Sequence, residues 1–76
     1  MMTKEPIRDF YGMIIGYIET DKDGNQIGRD FYNRILGYYE AKQNITRDFY
    51  KRIIGKGNLL SGLIYAEEEK NKSKKR

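Results

Sequence analysis

The chain has no cysteine, no histidine and no tryptophan, and a single proline. Without cysteine there is no disulfide, no thiolate nucleophile and no thiolate zinc site. Without histidine the commonest general base and the commonest metal ligand are both missing, leaving only carboxylate, lysine or tyrosine chemistry. No apolar run approaches the roughly 18–20 residues that span a bilayer. The opening run Met1-Met2-Thr3-Lys4-Glu5-Pro6 has no apolar signal-peptide region, so the expected home is a reducing cytoplasm. What is present is an ordinary globular composition, with 38% apolar and 34% charged residues and a formal charge of +4. A chain of 76 residues forms one small domain. Such a domain buries only roughly 60% of the surface its unfolded form exposes, so self-association would help it.

Internal self-similarity organises the chain. The quartet Arg-Asp-Phe-Tyr occurs at residues 8–11, 29–32 and 47–50, at steps of 21 and 18 residues, and a glycine follows eight residues after each Arg (Gly16, Gly37, Gly55). A helix is disfavoured over these units, which are rich in Ile, Tyr and Phe, carry an interior glycine and show no sustained 3.6-residue stripe. Strand and turn fit them better. Asp9-Phe10-Tyr11-Gly12 and Asp30-Phe31-Tyr32-Asn33 suit a type I turn closed by a left-handed residue, with Asp in first place and Gly or Asn in last. Asp48-Phe49-Tyr50-Lys51 is the poorer copy, because a left-handed backbone strains Lys and not Gly. Further turn signals lie at 21–25, 41–44 and 55–58.

Short strands between turns every 8–12 residues predict an all-β antiparallel meander of three tandem hairpin units, residues 7–25, 26–44 and 45–65. Strands are expected near 7–8, 13–19, 26–29, 34–40, 45–47, 52–55 and 59–65. Residues 1–6 are expected to be a disordered N-terminus, and residues 67–76 a charged, basic tail, in which 66–72 can form a short helical turn with Glu68 and Lys72 spaced to pair but, with nothing to bury, frays. Sorted by parity, one face carries Ile14, Gly16, Ile18, Ile35, Gly37 and Tyr39, the other Met13, Ile15, Tyr17, Arg34, Leu36 and Tyr38. Neither is cleanly polar. The sheet is therefore expected to curl into a small barrel or to pack as a dimer, and the glycines at one fixed register let a strand bend or another backbone approach.

In a meander every second turn lies at the same end of the sheet, so the three Asp-Phe-Tyr turns form a row. Arg8, Tyr11, Arg29, Tyr32, Arg47 and Tyr50 are the candidate partner-binding residues, since aromatic faces interleaved with guanidinium groups anchor proteins or stack bases. Asp9, Gly12, Asp30, Asn33 and Asp48 are candidate structural turn residues. The bland alternative has each Phe fold back to plug the end of the core and each Arg pair with a nearby Asp. The tail cations Lys70, Lys72, Lys74, Lys75 and Arg76 either tether an anionic surface or simply solubilise. Asp21-Lys22-Asp23-Gly24-Asn25 superficially matches a calcium loop but lacks the closing Glu and the flanking helices. Gly55-Lys56-Gly57 is too short for a phosphate loop. No acid stands out as a catalytic partner for another, and so small a core leaves little room for a ligand cleft of roughly 300 Å³. The chain is read as non-enzymatic, with no metal or cofactor.

The run Arg29-Asp30-Phe31-Tyr32-Asn33-Arg34-Ile35-Leu36-Gly37-Tyr38-Tyr39-Glu40 resembles the repeat of small uncharacterised proteins of the RDFYGRILGYI type, encoded by phages, plasmids and other mobile elements of Gram-positive bacteria. The resemblance covers about residues 7–65. That family has Gly where this chain has Asn33 and Lys51. It implies a tandem-hairpin chain of bacterial or phage origin and carries no activity to transfer. A weaker similarity, to the aromatic hairpin repeats of choline-binding proteins, fails for want of Trp. Three functions follow in order: a module binding a protein partner as adaptor or inhibitor of a host factor, a nucleic-acid binder using the Arg/Tyr row and the Lys tail, and a structural homo-oligomer. None involves a membrane.

Overall fold

A computed structural model describes residues 2–74, with side chains through Lys70. Six strands run in chain order: β1 (Thr3–Arg8), β2 (Ile14–Thr20), β3 (Gln26–Asp30), β4 (Ile35–Glu40), β5 (Ile45–Asp48) and β6 (Ile53–Lys56), followed by helix α1 (Leu60–Lys74). They form one antiparallel sheet in the order β1-β2-β3-β4-β5-β6. The expected meander is therefore present, but three expectations need correction. The sheet does not close into a barrel. Thr3–Pro6 are not disordered but pair with Tyr17–Thr20. Residues 60–65, expected as a strand, begin the helix, which runs on through Lys74 in place of a fraying tail.

The helix covers one half-apolar face of the sheet. It lies across β2, β3 and β4, and Leu60 and Ile64 are fully buried in a cluster with Ile15 and Ile18. Burial of two such side chains contributes roughly 1.5–3 kcal/mol each. The fixed-register glycines make this approach possible. A Cβ at Gly16 would lie 2.6 Å from Ile64, at Gly37 2.7 Å from Leu63, at Gly28 3.2 Å from Leu60 and at Gly55 2.8 Å from Leu59. The glycines thus form a trench for the helix, which closes the core that a barrel or a second copy was expected to close.

Local polar chemistry starts the helix. Asn58 Oδ1 accepts the Leu60 amide (3.2 Å), as an N-cap does. Buried Thr46 accepts the Leu59 amide on Oγ1 (3.0 Å) and donates to the Gly57 carbonyl (2.6 Å). At its far side Tyr65 OH donates to the Arg8 carbonyl (2.8 Å), tying the helix to the first turn.

On the opposite face long side chains cover the apolar ones. The Arg29–Glu19 and Arg47–Glu40 pairs (2.8 and 3.2 Å) flank Tyr17, Ile27 and Tyr38, while Lys4 lies over the Tyr17 ring and Lys51 over Tyr38.

Candidate functional site

The three Asp-Phe-Tyr turns join β1 to β2, β3 to β4 and β5 to β6, so all three stand at one end of the sheet. Each is built alike. The Asp amide donates to the residue four on (Met13, Arg34, Arg52; 2.9 Å each), and the residue in last place donates back to the Asp carbonyl. That last residue is left-handed in all three: Gly12 at φ 82°, Asn33 at 72° and Lys51 at 72°. Each Asp Oδ1 accepts two amides, from Tyr11 and Met13, Tyr32 and Arg34, or Tyr50 and Arg52, at 2.8–3.0 Å. Asp9, Gly12, Asp30, Asn33 and Asp48 therefore hold the positions expected of turn formers. At the opposite end, the Asp21 turn uses the same bonds, with Gly24 as its left-handed residue.

Asp30 is almost wholly buried and also accepts the Arg34 guanidinium (2.7 Å). Asp48 does the same with Arg52 (2.9 Å). The Arg52 amide, aided by its guanidinium, holds the Asp48 carboxyl below its ordinary pKa, against a smaller opposing effect of burial.

Each turn also bends the strand after it. The register slips by one residue between Ile7 and Arg8, Gly28 and Arg29, and Thr46 and Arg47, leaving Ile15, Leu36 and Ile54 as the bulged residues opposite. Such bulges redirect side chains. Ile15 thereby joins Ile18 in the core, although parity alone puts the two on opposite faces.

The central turn residues point into solvent. Phe10, Phe31 and Phe49 are 94%, 53% and 54% exposed, and Tyr11, Tyr32 and Tyr50 are exposed as well. The expectation that each Phe plugs the end of the core is thus overturned: α1 seals the core, and both central turn side chains face outward. Within each tip the two rings meet edge to face at 5.4–5.5 Å, a favourable arrangement of aromatic quadrupoles. The three Phe are the surface residues that sequence reasoning left out.

Arg8, Arg29 and Arg47 bond within the turns. Their guanidinium groups donate to the carbonyls of Gly12, Asn33 and Lys51 at 2.8–2.9 Å, and the last two also pair with Glu19 and Glu40. They brace the turns, and none pairs with an Asp. The cations that accompany the tips are Arg34 over Tyr32 and Arg52 over Tyr50, 5.4 and 5.2 Å from the ring centroids. At the equivalent position of the first tip stands Met13, an uncharged side chain exposed beside the turn.

Between the tips and the C-terminal half of α1 lie open grooves. One, of about 760 Å³, has Ile35 and Leu36, Phe49 and Tyr50, and Glu67 and Lys70 of the helix among its lining residues. A second, about 240 Å³, runs between Ile14-Ile15 and Phe31-Tyr32 below Glu68. A chain expected to carry no cleft therefore has surface grooves, formed by the unforeseen helix. Of the tail cations, Lys70 is exposed and lies 3.9 Å from Glu67. Lys72 and Lys74 lie on the helix, and Lys75 and Arg76 lie outside the described residues.

No family model matches the chain, and no curated protein or solved structure gives a significant match. Among the described residues no helix is long and apolar enough to cross a membrane.

Proposed function

We propose that the chain is a small non-enzymatic binding module, built of three tandem hairpin units and of bacterial mobile-element or phage origin, that docks a cytoplasmic protein partner on its row of Phe-Tyr tips. The observation that carries this reading is the exposure of all six tip rings at one end of the sheet. Turns braced by Asp, Arg and backbone hydrogen bonds hold these rings, so little side-chain and loop entropy is lost on docking. Exposed aromatic clusters with Arg at their rim are the usual anchors of protein interfaces.

A nucleic-acid interface is less well supported. Arg8, Arg29 and Arg47 are committed to carbonyls and carboxylates, and Arg34 and Arg52 are paired with Asp30 and Asp48. Arg8 and Lys51 form no ion pair among the described residues, and Asp9 stands beside Arg8 without one, so the tip end carries little net positive charge to release counterions from phosphates.

The test is affinity purification from a Gram-positive lysate, comparing the wild type with a Phe10→Ser, Phe31→Ser, Phe49→Ser variant. The expected result is a defined set of proteins retained by the wild type at about 0.5 M NaCl, where exposed charges are screened, and lost from the variant. Identical sets from both chains, or nucleic acid alone that elutes with salt, would overturn the reading.

A further inference from the structure

The two ends of the row, the first tip and the strand that follows the last tip, are complementary. Phe31-Tyr32 share a groove with Ile14 and Ile15 of the preceding hairpin, and Phe49-Tyr50 share one with Ile35 and Leu36. The first tip has no hairpin before it, and Phe10 is 94% exposed where Phe31 and Phe49 are near 53%. At the other end Ile53 and Ile54 have no tip after them. Ile54 is 42% exposed, whereas Ile15, its counterpart in the first hairpin, is 4% exposed.

The sheet edges match in the same sense. β1 and β6 each pair on one side only. At both inner junctions the repeat glycine faces the Asp of the next unit (Gly16 opposite Asp30, Gly37 opposite Asp48), and the following Tyr faces its Arg (Tyr17 opposite Arg29, Tyr38 opposite Arg47). β1 leads into the same Arg8-Asp9 pair, and β6 contains the same glycine, Gly55.

We propose that a second copy of this chain binds head to tail. β1 of the next copy pairs antiparallel with β6, in the register Gly55 opposite Asp9 and Lys56 opposite Arg8, and its Phe10-Tyr11 tip covers Ile53 and Ile54. The contact continues the inner junctions across the chain boundary. It is heterologous, so it propagates rather than closing as a two-fold dimer, and it extends the row of tips from copy to copy.

The sequence also keeps this contact weak. Lys56 replaces the Tyr of the inner junctions and faces Arg8 with like charge, which is destabilising directly across strands. Gly57, at φ 82°, turns the chain away, so two residues pair where β2 and β3 pair five. An interface this small dissociates in the range of about 0.1–1 mM. Salt strengthens it, because the screening length falls from roughly 14 to roughly 4 Å between 50 and 500 mM.

Two measurements test this. In wild-type ¹⁵N spectra taken from 20 μM to 1 mM, amides of residues 7–11 and 53–56 are expected to shift together, more strongly at 500 than at 50 mM NaCl, with larger shifts for Lys56→Glu. In an Arg8→Cys, Lys56→Cys variant, the two thiols of one chain stand five strand spacings apart, roughly 24 Å, so any 8–56 disulfide joins two molecules. No other cysteine competes. Mild oxidation is expected to give a ladder of oligomers linked 8 to 56. Concentration-independent wild-type spectra, or shifts confined to other surfaces, would overturn the proposal. So would cross-links found only as 8–8 or 56–56.

Discussion

Gly37→Ala tests whether the helix is seated in the glycine trench. The added Cβ would lie 2.6 Å from the Arg47 carbonyl oxygen and 2.7 Å from Leu63 Cδ1, against an ordinary contact distance of 3.4 Å or more. The carbonyl belongs to β5, which pairs with β4 at this position, so it moves only by opening the ladder. Leu63 belongs to α1 and retreats only by lifting the helix. Overpacking of this kind costs about 1–3 kcal/mol, more than the roughly 0.5–1 kcal/mol a strand gains from replacing Gly by Ala. With a carbonyl as the blocking atom, we expect a net loss of about 2 kcal/mol and a melting temperature lowered by roughly 10–15 °C. Urea and thermal unfolding followed by far-UV circular dichroism measure this. Gly28→Ala meets only Leu60, at 3.2 Å, and is expected to cost less. A Gly37→Ala variant within about 0.5 kcal/mol of the wild type would refute the seating of the helix.

Other substitutions report on other parts of the structure. Gly62→Ala, in the helix with nothing near its Cβ, is expected to stabilise by about 0.5–1 kcal/mol in the same assays. Lys51→Gly relieves a left-handed Lys but loses the cation over Tyr38, for an expected net gain of a few tenths of a kcal/mol, roughly 0.5 at most. Thr46→Val leaves the Leu59 amide and the Gly57 carbonyl without their partner and is expected to cost about 1–3 kcal/mol in urea melts. Because the Asp48 carboxyl is held below its ordinary pKa, its stabilisation is complete above about pH 4 and is lost as pH falls through the depressed folded value. The urea midpoint is expected to decline in that acid range, and to decline less in Asp48→Asn.

The turns are the most legible part of the sequence because their chemistry is local. An Asp that accepts two amides, followed three residues later by a residue that can turn left-handed, fixes the backbone with little help from the rest of the chain. Alternation of the turns then places the tips at one end. The helix was not legible as such. Its apolar residues Leu60, Leu63 and Ile64, with Leu59 just before them, span barely two turns, enclose a glycine and, after Tyr65 and Ala66, give way to a charged and polar stretch, so the 3.6-residue period has little length in which to show. Asn58, immediately before the apolar group, was the available signal. Without the helix the trench glycines read as bend points or places of backbone approach, not as the seat of a helix, and the need for something to close the core favoured the Phe as plugs. The bracing role of Arg8, Arg29 and Arg47 was hidden because their acceptors are backbone carbonyls, although the constant four-residue spacing to Gly12, Asn33 and Lys51 records it. Parity failed at Ile15 because one bulged residue reverses every assignment beyond it.

Site-specific photo-crosslinking in Gram-positive cells that express the chain tests the tip surface most directly. Benzoylphenylalanine in place of Phe31 puts the probe on the middle tip, and the same residue in place of Lys42 puts it on an exposed turn at the opposite end of the sheet. The tip reading predicts a discrete protein adduct from position 31, none from position 42, and loss of the adduct when Tyr32 and Tyr50 are also changed to Ser. Equal adducts from both ends, or none from position 31 while position 42 reacts, would contradict it.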